Sequence, residues 1–317
     1  MKTLICLLGV LWGPAYVYAG PYAFVTNQKD NSVTVIDTES HSTKATLKVG
    51  KDPAGVAVSQ NGSRVVVTNV GDRTVSLIDG RELTTLDNIP VGEGPLGIAI
   101  SGDGGLAFVA DFYEHFISVV DLSERRVIKR IPVGRYPAGL AVDSKANNLY
   151  VANREDDSIS IIKLKDDYPQ RVIKVGVHPF GVLLDESKNR LYVANVGSNS
   201  VSVIDVSIET KVGEVGVGDR PYALALALGG SRLFVTNQYD DSVSVVNTDE
   251  LKQIKTIPVG SYPEGISSLP GGRVLYVANW FSNTVSVIDA EALLIQKTLL
   301  AGNGSRAFGK FIQDAQY

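Results

Sequence analysis

The stretch YVANWFSNTVSVID, Tyr276–Asp289, decides the fold because the chain nearly repeats it elsewhere. LYVANREDDSISIIK (Leu149–Lys163), LYVANVGSNSVSVID (Leu191–Asp205) and LFVTNQYDDSVSVVN (Leu233–Asn247) keep its frame and change its middle. Asn27, Asn69, Asp111, Asn153, Asn195, Asn237 and Asn279 stand 42 residues apart. Ten positions after each comes Asp37, Asp79, Asp121, Lys163, Asp205, Asn247 or Asp289. Gly50, Gly92, Gly134, Gly176, Gly218, Gly260 and Gly302 keep the same step, as do Pro53, Pro95, Pro137, Pro179, Pro221 and Pro263. Self-similarity at one fixed period marks a repeat architecture.

Within one copy the hydrophobic period is two. PAGVAVS (Pro53–Ser59), RVVVTN (Arg64–Asn69), TVSLID (Thr74–Asp79) and LDNIPVG (Leu86–Gly92) are short, Val/Ile-rich runs, separated by SQNGS, GDR and GRELTT. These read as strands and turns. Four strands per unit, seven times over, predict an all-β, seven-bladed β-propeller with four antiparallel strands per blade. A solenoid of stacked β-coils competes, but its units are usually shorter and need caps, and neither end here reads as a cap. PYAFVTN (Pro21–Asn27) matches a second strand and SRAFGKFIQ (Ser305–Gln313) a lone first strand. Pairing these N- and C-terminal strands would complete one blade, close the ring and remove exposed edges. Seven copies in register leave no room for a second domain, so residues 20–317 are expected to form one propeller.

Residues 1–19 read as a cleaved export signal: a positive start at Lys2, an apolar run Leu4–Leu11, and small residues at Val17 and Ala19. The competing reading is an uncleaved anchor, but the run falls short of the roughly 20 residues that span a bilayer. No transmembrane segment is expected afterwards. Cleavage removes Cys6, the only cysteine, so neither a disulfide nor thiol chemistry is expected in the mature chain. It also removes Lys2, taking the formal net charge from −4 to −5. With no long basic run, nucleic acid is not an expected partner. The expected location is the periplasm, the cell surface or the medium, and the expected state is a monomer.

YVAN, FVTN and VSVID, followed by IPVG and PxGxAV, resemble the YVTN-type β-propeller repeat of bacterial and archaeal exported and surface-layer proteins. The GH…WD pair of the WD-repeat is absent. The resemblance covers all seven copies and implies an extracytoplasmic propeller. Families with related blades include haem-binding nitrite reductase domains, amine dehydrogenase subunits and lactonases, so the resemblance implies structure far more sharply than activity.

What recurs in every copy serves the blade; what differs is free to serve a ligand. The recurring Asn and Asp, such as Asn153 and Asp205, are expected to lock turns. The glycines of PxG (Gly55, Gly97, Gly139, Gly181, Gly265) are expected where neighbouring blades crowd at the channel wall. The loops joining strands two and three share a face with the inter-blade loops, and both sets vary. Around the repeated proline one half of the ring collects Arg135, Tyr136, His178, Phe180, Arg220, Tyr222, Tyr262, Glu264 and Arg306. Arg offers a planar donor fork and Tyr a flat face, which suits a small anionic or aromatic ligand, or a protein partner. The plainer alternative is that these aromatics pack neighbouring blades and that Glu264 pairs with Arg306. Two of the strand two–three loops carry aromatic pairs, Phe112-Tyr113 and Trp280-Phe281. Burying one such ring removes roughly 150–250 Å² from water, about 4–6 kcal/mol at ~25 cal/mol/Å². One ring of each pair is therefore expected to fold back and the other to contact a partner.

Only three histidines occur, none at metal-ligand spacing, so no metal is expected. No CxxCH, GxSxG or phosphate-cradling glycine loop is present, and no bound cofactor is expected. Three readings remain, with the first favoured over an enzyme: a non-catalytic binding or scaffold propeller; a lyase or lactonase with His178 as base and Arg220 or Arg306 at an oxyanion; or an accessory protein for a redox cofactor or tetrapyrrole.

Overall fold

The computed structural model describes residues 21–314 apart from 146 and 166; the expected export signal, residues 1–19, lies outside the described residues. Blade two shows the unit. Its strands Pro53–Val58, Arg64–Asn69, Thr74–Asp79 and Thr84–Pro90 are hydrogen-bonded in chain order, each antiparallel to the next. Residues 95–132, 137–174, 179–216, 221–258 and 263–300 repeat it as blades three to seven. Blade one holds three strands, Tyr22–Asn27, Ser32–Asp37 and Ser42–Lys48. The chain is thus an all-β, seven-bladed propeller. No helix among the described residues is long and apolar enough to cross a membrane.

The second strands are buried along nearly their whole length, after a partly exposed first residue in blades two to seven, because both faces of each sheet are covered. Successive strand side chains point to opposite faces. Val65 and Val67 accordingly pack with blade one residues such as Phe24, while Val66 packs with Val109 and Val120 of blade three. The core is therefore a set of wedges between blades. The fourth strands are mostly exposed; in Thr84–Pro90 only Ile89 is buried.

Glycines of PxG sit where the inner strands converge. A Cβ at Gly97 would lie 1.9 Å from the Ala138 carbonyl oxygen of the next blade, and one at Gly181 would lie 2.2 Å from that of Tyr222. Three blades add a hydroxyl at this contact. The Thr68 hydroxyl accepts from the Gly55 amide (2.8 Å) and donates to the Leu96 carbonyl of the next blade (2.9 Å). Thr26 and Thr236 bond the carbonyls of Ala54 and Glu264 in the same way.

Residues 305–313 close the ring at the inner position of blade one. They form isolated bridges Ala23–Ile312 and Asn27–Ser305 rather than a continuous strand. The Phe24 amide donates to the Phe311 carbonyl and the Arg306 amide to that of Thr26. The segment also leans on blade two, where the amides of Val56 and Val58 donate to the carbonyls of Phe308 and Lys310. Gly309, at φ +120°, permits that detour.

Candidate functional site

The face carrying the variable loops is built on one repeated device. The residue before the repeated proline adopts a left-handed backbone in Asp52, Tyr136, His178, Arg220 and Tyr262, and Gly304, before Ser305 at the matching position, does the same. Its amide donates to a side chain of the preceding blade's strand two–three loop: Asn31, His115, Asp157, Asn199, Asp241 or Asn283 respectively. His115 is thereby a structural acceptor, its Nδ1 3.1 Å from the Tyr136 amide. Below these loops the recurring asparagines lock the strands. The Asn153 side chain donates to Ser158 and Ser160 and accepts from the Gly134 amide. Asp205 accepts from the amide and hydroxyl of Ser207.

Eight of the nine candidate residues fall into three groups rather than one ring, and Tyr136 stands apart with Phe112. Phe180 and Tyr222, stacked at 4.3 Å, meet Phe308 at 5.1 and 5.2 Å and plug the channel. Beside them Glu264 is buried against Arg306, with Nε to Oε2 at 2.5 Å, and also accepts from Gln238. The Arg306 guanidinium donates to the Tyr222 hydroxyl at 3.2 Å. Burial pushes the Glu264 carboxyl upward and Arg306 opposes that push. Burial pulls Arg306 down, but Glu264 and Tyr222 together outweigh it and raise it, so the guanidinium stays charged. Burial likewise pushes the Tyr222 hydroxyl up.

A second group is a polar arc. Arg135 pairs with Asp156 (2.7 Å) at the surface, and His178 Nε2 lies 3.7 Å from Glu155, which also binds Arg154. Among the described residues His178 has no direct contact with Arg220 or Arg306. Among the described residues no group of three or more His, Cys, Asp and Glu side chains is placed to hold a metal ion.

The third group is an aromatic shelf. Tyr262 contacts Phe281 at 4.6 Å, Trp280 at 5.4 Å and Tyr239 at 5.8 Å. Arg220 lies over Tyr239 at 4.4 Å and Arg306 over Trp280 at 5.3 Å. Phe281 (56% exposed) and Tyr239 (54%) face outward, while Trp280 is half-buried and its indole N–H has no acceptor among the described residues. Burial raises the Tyr262 hydroxyl above its ordinary value. Arg220, exposed, has no carboxylate partner within ion-pair distance among the described residues. Across the ring Phe112 and Tyr136 meet edge-on at 5.1 Å, and Tyr113 stands 60% exposed. Tyr239 was not singled out by its sequence position. Its place in the same loop as the Trp280–Phe281 pair, one blade earlier, is the signal that could have found it.

A further cavity lies elsewhere. It occupies the channel beneath the plug, about 590 Å³, and opens at the opposite face among the turns between strands one and two. Only small and aliphatic inner-strand positions mark it in the sequence.

A family model described as cytochrome D1 heme domain matches residues 12–99, and one described as lactonase, 7-bladed beta-propeller, matches residues 126–223. Each covers less than half of the chain. No curated protein matches. Among solved structures, a functionally unknown protein from Desulfotomaculum acetoxidans DSM 771 is 16% identical, with 91% of this chain and 99% of that chain covered and a TM-score of 0.79. Kuenenia stuttgartiensis hydrazine synthase is 21% identical over 89% of this chain and 99% of that chain, at 0.76. The dihydro-heme d1 dehydrogenase NirN, in complex with DHE, is 16% identical over 88% of this chain and 63% of that chain, at 0.67. At these identities the likeness is one of fold.

Proposed function

We propose that the chain is an exported binding propeller of the YVTN type, periplasmic, cell-surface or secreted, that recognises a planar ligand carrying an acidic group. Arg220, Tyr239, Tyr262, Trp280 and Phe281 form the recognition surface. One observation carries this reading: outward-facing rings lie beside a guanidinium with no carboxylate within ion-pair distance among the described residues. A flat ring gains stacking on such a shelf, and its acid gains the donor fork of Arg220. The plug residues, Arg135, Tyr136, His178 and the Phe112–Tyr113 pair shape the surrounding face.

A tetrapyrrole is the second reading, favoured by the cytochrome D1 heme domain match at residues 12–99. Its faces and carboxylates suit the shelf. No histidine, cysteine or methionine stands among the shelf residues, so a haem iron held by such an axial ligand does not fit.

Of the two tryptophans, Trp12 lies within residues 1–19, so Trp280 is the sole tryptophan of the processed chain and a built-in reporter. Titrating that chain with 1,5-naphthalenedisulfonate or metal-free protoporphyrin should quench Trp280 emission saturably. Arg220→Ala and Phe281→Ala should each weaken binding at least tenfold. Unsaturable quenching by both probes would end this reading.

A further inference from the structure

We propose that the channel holds a second binding site, separate from the aromatic shelf, for an uncharged and predominantly apolar small molecule with one hydrogen-bonding group. The cavity of about 590 Å³ lies within the range of small-molecule sites. Its floor is Phe308, a member of the ring plug, and it reaches the face opposite the shelf among the strand one–two turns. Two to five residues of each inner strand from blades two to seven wall it, four of them in blades four and five, giving a depth there of roughly 13 Å at ~3.3 Å per residue. Val142, Leu184 and Leu226 lie on innermost strands yet remain partly exposed, and they line this space.

Two features define the occupant. The wall is aliphatic in blades two to six, where the paired positions read Ala57-Val58, Ala99-Ile100, Ala141-Val142, Leu183-Leu184 and Ala225-Leu226. Blade seven alone carries Ser267-Ser268, and neither hydroxyl has a hydrogen-bond partner among the described residues. An apolar cavity with hydroxyls on one side suits a molecule with a polar group at one point. The charges at the mouth are already engaged. Lys310 pairs with Asp314 at 2.8 Å, and Glu186 accepts from the amide and hydroxyl of Ser144. That leaves one net negative charge and no free cation, which disfavours an anion.

The test uses the neutral dye Nile red with the chain lacking residues 1–19. Saturable binding at one dye per chain is expected. Decan-1-ol should displace the dye at a concentration at least tenfold lower than decanoate. Ala141→Phe, which fills the cavity, should weaken dye binding at least tenfold with unchanged melting; Ser268→Phe, on another wall, serves if that variant misfolds. Trp280→Ala should bind the dye like the parent, so the shelf and the channel fail or succeed independently. Absent or unsaturable dye binding, undiminished binding by the folded filling variant, equal displacement by decanoate, or loss of binding in Trp280→Ala would overturn the proposal.

Discussion

Gln313 and Tyr22 exchange two hydrogen bonds across the seam of the ring. The Gln313 amide donates to the Tyr22 carbonyl, and the Tyr22 amide donates to Gln313 Oε1, each at 3.0 Å. The same side chain donates to the carbonyls of Gly62 (2.8 Å) and Gly80 (2.9 Å) in blade two. One buried amide thus ties both ends of the chain and the next blade together.

Gln313→Ala leaves three buried backbone groups without partners. At about 1–3 kcal/mol for each unsatisfied group, partly relieved by relaxation, a loss of about 2–4 kcal/mol is expected in denaturant unfolding. Deleting residues 307–317 should lower the melting temperature far more, and unchanged melting would refute closure by that segment.

Thr68→Val replaces the hydroxyl bridging Gly55 and Leu96 with a methyl group of similar shape. The Gly55 amide and the Leu96 carbonyl lose their partner, so a loss of about 1–3 kcal/mol is expected by chemical denaturation. Ala110→Ser, at the matching position of a blade without the hydroxyl, should change stability by less than about 1 kcal/mol.

Glu264→Gln leaves the Arg306 guanidinium buried without its counter-charge. A loss of about 3–5 kcal/mol is expected. Adding Arg306→Met should recover most of it, because replacing both members of a buried pair is far less costly than removing one. A double variant no more stable than the single would show that the pair is not the source of the loss.

His41 Nδ1 lies 2.6 Å from the Tyr276 hydroxyl, joining blade one to blade seven. Burial pushes the imidazole below its ordinary 6.5, the Lys297 ammonium adds to the push, and Asp37 opposes it. Tyr276 is raised by burial and stays a donor at neutral pH. The unfolded chain therefore takes up this proton more readily than the folded one. The contribution is full above about pH 6.5 and is lost as pH falls through the lower folded value. Denaturant midpoints should drop between pH 7.5 and pH 5.5, and His41→Gln should flatten that drop.

The repeat of Asn27 through Asn279 made the blades, their strands and the seam legible, because every copy meets the same packing demand. The crowding at Gly55 and Gly97 was legible for the same reason. The side-chain grouping at the rim was not. Position in a repeat says that Arg306 and Glu264 share a face. It offers their pairing as an alternative, but does not say that burial commits them to each other while Arg220, one loop away, has no carboxylate partner among the described residues. The channel cavity was hidden further, since Ala141 and Val142 look like any inner strand until the plug of Phe180, Tyr222 and Phe308 divides the tube.

The grip on the pre-proline amides of Asp52, Tyr136, His178, Arg220 and Tyr262 by the blade before each has an evolutionary consequence. Because the main chain there is held through its own N–H, the turn does not depend on which side chain stands at that position. Tyr262 and Arg220 occupy interchangeable sockets, and a descendant could rewrite the specificity of this face one letter at a time while the wheel beneath stayed as it is.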